Sequence, residues 1–156
     1  MRRLFTRFRA ARPSGPGHAT RAQIGQWGER IAARHLKRNG YRVLARNLKT
    51  AVAEVDVLAR ERATGTLVIV EVKASGAGLG GGLGGGSGGR SSGGAGGGSP
   101  ERNLSRSQQD RLVRTARHLA RDPRAGGAAV RIDVITVRYG DVGSIRHFRG
   151  VIRSRV

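Results

Sequence analysis

Leu67-Val68-Ile69-Val70-Glu71-Val72-Lys73 is the stretch on which the reading of the whole chain turns. It is too short for an independent helix, and its β-branched side chains favour a pleated backbone, so it predicts a central strand. Residues two apart on a strand point the same way. Glu71 and Lys73 therefore share one face, about 7 Å apart along the chain, and Val68, Val70 and Val72 take the other. A carboxylate and an ammonium on an otherwise apolar central strand are costly to bury without partners. The pair calls for a chemical explanation.

Upstream, Tyr41 to Asn47 and Ala51 to Ala59 alternate apolar and polar residues as two half-buried strands joined by a short turn. Asp56 lies on the second. Antiparallel pairing of that strand with 67–73 would set its carboxylate beside Glu71. Two hard oxygen ligands at one spot suit Mg²⁺ or Mn²⁺, which keep several waters and bridge to substrate phosphate. Lys73 then holds an attacking water or the negative charge that builds on phosphorus. It is one of three lysines, with Lys37 and Lys49, in a chain that otherwise uses Arg for positive charge. The alternative is structural: an ion pair of Glu71 with Lys73, and of Asp56 with a nearby Arg.

Helices flank the three strands. Thr20-Arg21-Ala22-Gln23 matches a capping box, Ile24, Trp27, Gly28, Ile31, Ala32 and His35 form one apolar stripe, and Asn39-Gly40 supplies a left-handed stop. Ser105-Arg106-Ser107-Gln108 is a second box, followed by a stripe of Leu104, Gln108, Leu112, Thr115, Ala116 and Leu119, while Arg106, Arg114, Arg117 and Arg121 fall mainly on other faces. Val130 to Tyr139 predicts a fourth strand and Ser144 to Ile152 a shorter fifth. The order is α-β-β-β-α-β, an α/β domain over residues 20–152.

Residues 76–99 are almost only Gly, Ser and Ala and predict a flexible loop, because they bury too little apolar surface to offset the entropy of ordering. Residues 1–19 read as a basic, disordered arm and 153–156 as a tail. The chain has room for one core in 156 residues, and its 30 Lys and Arg against 10 acidic residues give a formal charge of +20. An excess of that size points to nucleic acid, with DNA ahead of RNA. Aromatic residues make up only 4%, so recognition through backbone and shape is expected ahead of base stacking. The lack of cysteine excludes disulfides, thiolate zinc sites and thiol nucleophiles. His18, His35, His118 and His147 show no ligand spacing, and the absence of a long apolar run implies no membrane span and a cytoplasmic protein.

The succession GQWGERIAARHLKRNGYRVLARN, AEVDVLAR, LVIVEVKAS, a helix and RIDVITV resembles the YraN-like uncharacterised family over roughly Gln23 to Val137. That family has the fold of the PD-(D/E)xK nuclease superfamily. The resemblance implies a restriction-endonuclease-like αβββαβ core with a mixed central sheet. It also implies Asp56 as the acidic ligand, Glu71 and Lys73 as the ExK pair, Glu29 on the first helix as a further acid, and Glu54 as the Glu of the family's GEID segment. A Mg²⁺- or Mn²⁺-dependent endonuclease acting on DNA or RNA is the function it suggests, with a non-catalytic nucleic-acid-binding module or an assembly factor as the alternative. Three positions depart from the pattern: Ala53 replaces a Gly, Ser75 an Arg and Gln108 a Lys. Asp133 matches the Asp of a family RFDV segment but reads as a structural hydrogen-bond acceptor, outside the catalytic set.

Overall fold

The computed structural model describes residues 19–76, 104–139 and 144–152. Residues 1–18 of the expected arm, 77–99 of the Gly-rich loop and 153–156 of the tail lie outside the described residues.

Both capping boxes form. Thr20 Oγ1 accepts from the Gln23 N–H while the Gln23 side chain accepts from the Thr20 N–H, and Ser105 and Gln108 repeat the exchange. They open helices α1 (Arg21–Arg38) and α2 (Arg106–Ala120). Five strands follow the expected order: β1 (Tyr41–Lys49), β2 (Glu54–Glu61), β3 (Leu67–Gly76), β4 (Val130–Tyr139) and β5 (Ile145–Ile152). β2 starts later than its sequence pattern suggests because Thr50 closes a turn. Its hydroxyl donates to the Ala53 carbonyl and accepts from the Val52 and Ala53 N–H groups.

The sheet runs β1-β2-β3-β4-β5, so the 67–73 stretch is central. β3 and β4 are parallel and every other pair is antiparallel. A parallel neighbour needs a crossover, and the segment carrying α2 supplies it. One apolar cluster lies on the α1 side of the sheet, with Ile31, Ala32, Leu36, Val57, Ala59, Val68, Val70 and Ile135. The other lies on the α2 side, with Val55, Leu58, Ile69, Leu112, Ala116, Ile132 and Val134. The α1 stripe is rotated slightly from expectation: Ala33 and Leu36 are buried, and Trp27 and His35 are only half-buried. Among the described residues no helix is long and apolar enough to cross a membrane.

Candidate functional site at a strand fork

The antiparallel ladder between β2 and β3 runs from Arg60↔Leu67 to Val57↔Val70 and stops there. β3 continues to Gly76 paired with β4. Just beyond the last rung, the Val72 N–H donates to Asp56 Oδ2 at 2.7 Å, so a side-chain carboxylate replaces the lost backbone acceptor. Alternation breaks at the same point. Val57 and Ala59 join the α1 cluster, yet Val55 joins the α2 cluster together with Leu58. β2 thus turns at Asp56 and the two strands part.

Glu71 and Lys73 stand at this fork on the same side of the sheet as Ile69, which packs in the α2 cluster. Lys73 Nζ lies 2.9 Å from Glu71 Oε1, and the two side chains are 18% and 13% exposed. Among the described residues neither Asp56 Oδ1 nor Glu71 Oε2 accepts a hydrogen bond. The Asp56 carboxyl is pushed up to about 6, first by burial and then by the Glu71 charge; Glu29 adds to the rise, while the Val72 N–H and Lys73 oppose it. Of the two ion pairs in the structural alternative, Asp56 with an Arg does not form among the described residues, whereas Glu71 with Lys73 does.

Glu29 reaches this region because α1 lies hard against β3. A Cβ on Gly28 would sit 2.6 Å from the Ala74 Cβ, so only glycine permits the approach. Glu29 is half-buried one residue further on. Glu54 is exposed, and Ser75 is exposed where an Arg was expected. Gln108, expected on the inner stripe, spends its amide oxygen on the Ser105 N–H and is a capping residue.

Among the described residues no three His, Asp or Glu side chains cluster closely enough to enclose a metal ion. Two carboxylates, each with an oxygen to spare, nevertheless fit an ion such as Mg²⁺ that keeps most of its waters, and do not fit a closed structural zinc site.

Asp133 is the structural hydrogen-bond acceptor that the sequence suggested, but the charged cluster around it was not foreseen. Asp133 is 0% exposed and accepts from Arg131 Nε at 2.8 Å, Arg131 Nη2 at 3.1 Å, His147 Nε2 at 2.9 Å and the Gly150 N–H at 2.9 Å. Gly150, at φ 62, occupies an irregularity in the β4–β5 pairing where the left-handed backbone aims its N–H at the carboxylate. Arg131 also donates to Glu61 Oε2 and to the Tyr41 hydroxyl, and Arg149 donates to Glu61 Oε1. Burial raises the Asp133 carboxyl, but the His147, Arg131 and Gly150 hydrogen bonds outweigh it and hold the group below its ordinary range. The Arg131-x-Asp133 spacing on one strand was the available signal; Glu61, 70 residues earlier, had none.

The family described as "Uncharacterised protein family UPF0102" has a model that matches residues 28–137. The chain belongs to the UPF0102 family. This UPF0102 chain is 38% identical over 139 residues to the UPF0102 protein of Mycobacterium avium (strain 104), with 85% of this chain and 91% of the relative covered. It is 37% identical over 142 residues to that of Mycobacterium tuberculosis (strain ATCC 25177 / H37Ra), covering 85% and 94%. The UPF0102 protein of Syntrophotalea carbinolica (strain DSM 2380 / NBRC 103641 / GraBd1) is 33% identical over 131 residues, covering 83% and 91%. The UPF0102 match spans Glu29, Asp56, Glu71 and Lys73, and ends before β5.

Proposed function

We propose that this protein binds nucleic acid and hydrolyses a phosphodiester bond at the Asp56–Glu71–Lys73 fork with the help of a divalent cation. The observation that carries this reading is the fork itself. An acid pair with spare oxygens is held beside an ammonium where two central strands part, on a strand that is otherwise apolar. Surface charge supports it. Among the described acidic residues only Glu54 and Asp110 stand exposed, whereas every arginine of α2 does, so the outer surface is more cationic than the net charge conveys.

Asp56 Oδ1 and Glu71 Oε2 would hold the ion, with Asp56 fixed in orientation by the Val72 N–H. Mg²⁺ or Mn²⁺, when bound, would supply Lewis acidity and offset charge on the phosphoryl oxygens. Lys73, which stands beside Glu71, would steady the water whose oxygen forms the new P–O bond. As that water attacks it gives up a proton to solvent, the bond from phosphorus to the leaving sugar oxygen breaks, and solvent protonates the leaving oxygen. Glu29 lies at the margin as a further acid. Residue chemistry at the fork favours no particular base, in keeping with recognition through the backbone.

The test incubates purified protein with labelled duplex, single-stranded and branched DNA and with RNA, in Mg²⁺, Mn²⁺ or chelator. Cleavage that requires metal and disappears in Lys73→Ala, while Mn²⁺ binding by calorimetry persists in that variant, is the expected result. Wild type that binds no Mn²⁺ with or without nucleic acid would sink the catalytic reading. Binding without cleavage is the second reading, and it is favoured by the 2.9 Å contact between Lys73 Nζ and Glu71 Oε1, which occupies the ammonium and one carboxylate oxygen.

A further inference from the structure

Helix α2 presents its core side through Leu112, Thr115, Ala116 and Leu119. At about 100° per residue, Arg106, Arg114, Arg117 and Arg121 fall within roughly 80° of arc on the opposite side. All four are exposed, and the row from Arg106 to Arg121 is about 22 Å long. Asp110 is the one acid in the row, four residues from both Arg106 and Arg114. Among the described residues none of these four guanidinium groups is in an ion pair or donates a hydrogen bond.

The fold accounts for part of the row only: Arg117 and Arg121 lie at the helix C-terminus, where the backbone dipole favours cations, but Arg106 and Arg114 do not. Arg106 opens the helix, where the backbone dipole favours an acid, and no acid occupies that first turn. Arg114, Arg117 and Arg121 are like-charged neighbours three and four apart, a pattern that weakens a helix in isolation. Arginine also presents a planar fork of donors that matches phosphate oxygens. α2 covers the side of the sheet on which Ile69, Glu71 and Lys73 lie, whereas the basic residues Arg30, Arg34 and Lys37 of α1 belong to the other side.

We propose that the outward row of Arg106, Arg114 and Arg117 of α2, with the helix's C-cap Arg121, is the surface along which a nucleic-acid duplex lays its phosphate backbone. The inference rests on the nucleic-acid reading above and goes beyond it by naming the surface and its mode, which is charge-paired and independent of base sequence. Duplex charge occurs every 1.7 Å of axis, so a row of this length lies against several phosphates at once. The single Asp110 lowers the affinity of the row, which makes its removal a test with the opposite sign.

The test measures binding of a labelled DNA duplex by the full chain across a salt series. It uses wild type, the fourfold Arg→Gln variant of the row, a control with Arg30, Arg34 and Lys37 changed to Gln, and Asp110→Asn. Gln is a good helix former at exposed sites, and thermal melting verifies that each variant folds. The row variant should flatten the slope of log K against log salt by about 3–4, close to one per lost phosphate contact. The control should keep the wild-type slope, and Asp110→Asn should bind more tightly. Row and control variants that lose slope equally would overturn the surface and leave nucleic-acid binding intact; wild type that binds no duplex would overturn both. Loss of binding to anionic phospholipid vesicles in the row variant, with duplex binding unchanged, would assign the row to a membrane surface and overturn the proposal.

Discussion

Two acid clusters in one sheet are treated in opposite ways. At Asp133 and Glu61 the carboxylates meet Arg131 and Arg149, a histidine and a backbone N–H. For Glu61, burial pushes upward, but the hydrogen bonds from Thr64 and Arg131 outweigh it and the group is held below its ordinary range, as Asp133 is. At the fork Asp56 has one backbone N–H, two acidic neighbours and, among the described residues, an oxygen without a partner, and it is pushed up to about 6. In the first cluster each acid meets an arginine and further donors. The second is left acid-rich beside a surface of the opposite sign. Completed charge pairing holds a fold together, while incomplete pairing at a strand fork leaves lone pairs for something else to use.

Substitutions should separate the two most strongly. Arg131→Ala strands Asp133 and Glu61 in the interior and should cost about 3–5 kcal/mol in chemical unfolding. Asp56→Asn should do the opposite, raising metal-free stability at pH 7–8 by up to about 2–3 kcal/mol, since it removes a charge held against burial and the Glu71 and Glu29 charges while keeping an acceptor for the Val72 N–H. The same substitution should abolish any rise in melting temperature on adding Mn²⁺. If Asp56→Asn proves as damaging as Arg131→Ala, both clusters are structural and the contrast fails.

Smaller effects sharpen the contrast. Gly28→Ala, whose Cβ would meet the immovable Ala74 Cβ at 2.6 Å, should lose about 1–3 kcal/mol despite the gain in helix propensity. Gly25→Ala, with nothing within 4 Å, should gain up to about 1 kcal/mol on the same helix. Equal outcomes in thermal melts would show that α1 is not pinned against β3 near Glu29.

The smallest step is in pH. His35, whose ring stacks edge-on to His147, is held below its ordinary 6.5 first by burial and then by the His147 charge. The folded His35 therefore binds fewer protons than in the unfolded chain, so its contribution to stability is whole above pH 6.5 and declines as pH falls from there toward the folded value. Asp133 and Glu61 add a second loss at lower pH: their stabilisation is present above the unfolded carboxylate range and goes as pH falls through their depressed values. Asp56, pushed up to about 6, gains stability over the same interval as it takes up a proton, so the His35 loss is read in the Asp56→Asn background. Melts between pH 2 and 8 should show both steps there, and adding His35→Gln should remove the upper one alone.

Much was legible in the residues. Capping boxes, strand alternation and the β-branched run set the element order and put Glu71 and Lys73 on one face, because each depends on neighbours within a turn or a pleat. Leu36 was missed, since a stripe chosen around Trp27 and His35 fits the helical period nearly as well, and only packing against β3 and β4 fixed the rotation. The halt of the β2–β3 ladder at Val57↔Val70 was not legible either, nor was the capture of the Val72 N–H by Asp56. Neither was the closure of Arg131 on Glu61. Local periodicity determines what each segment becomes and which way its side chains point; where two strands part, and which distant acids share an arginine, depends on contacts that exist only once the sheet has assembled.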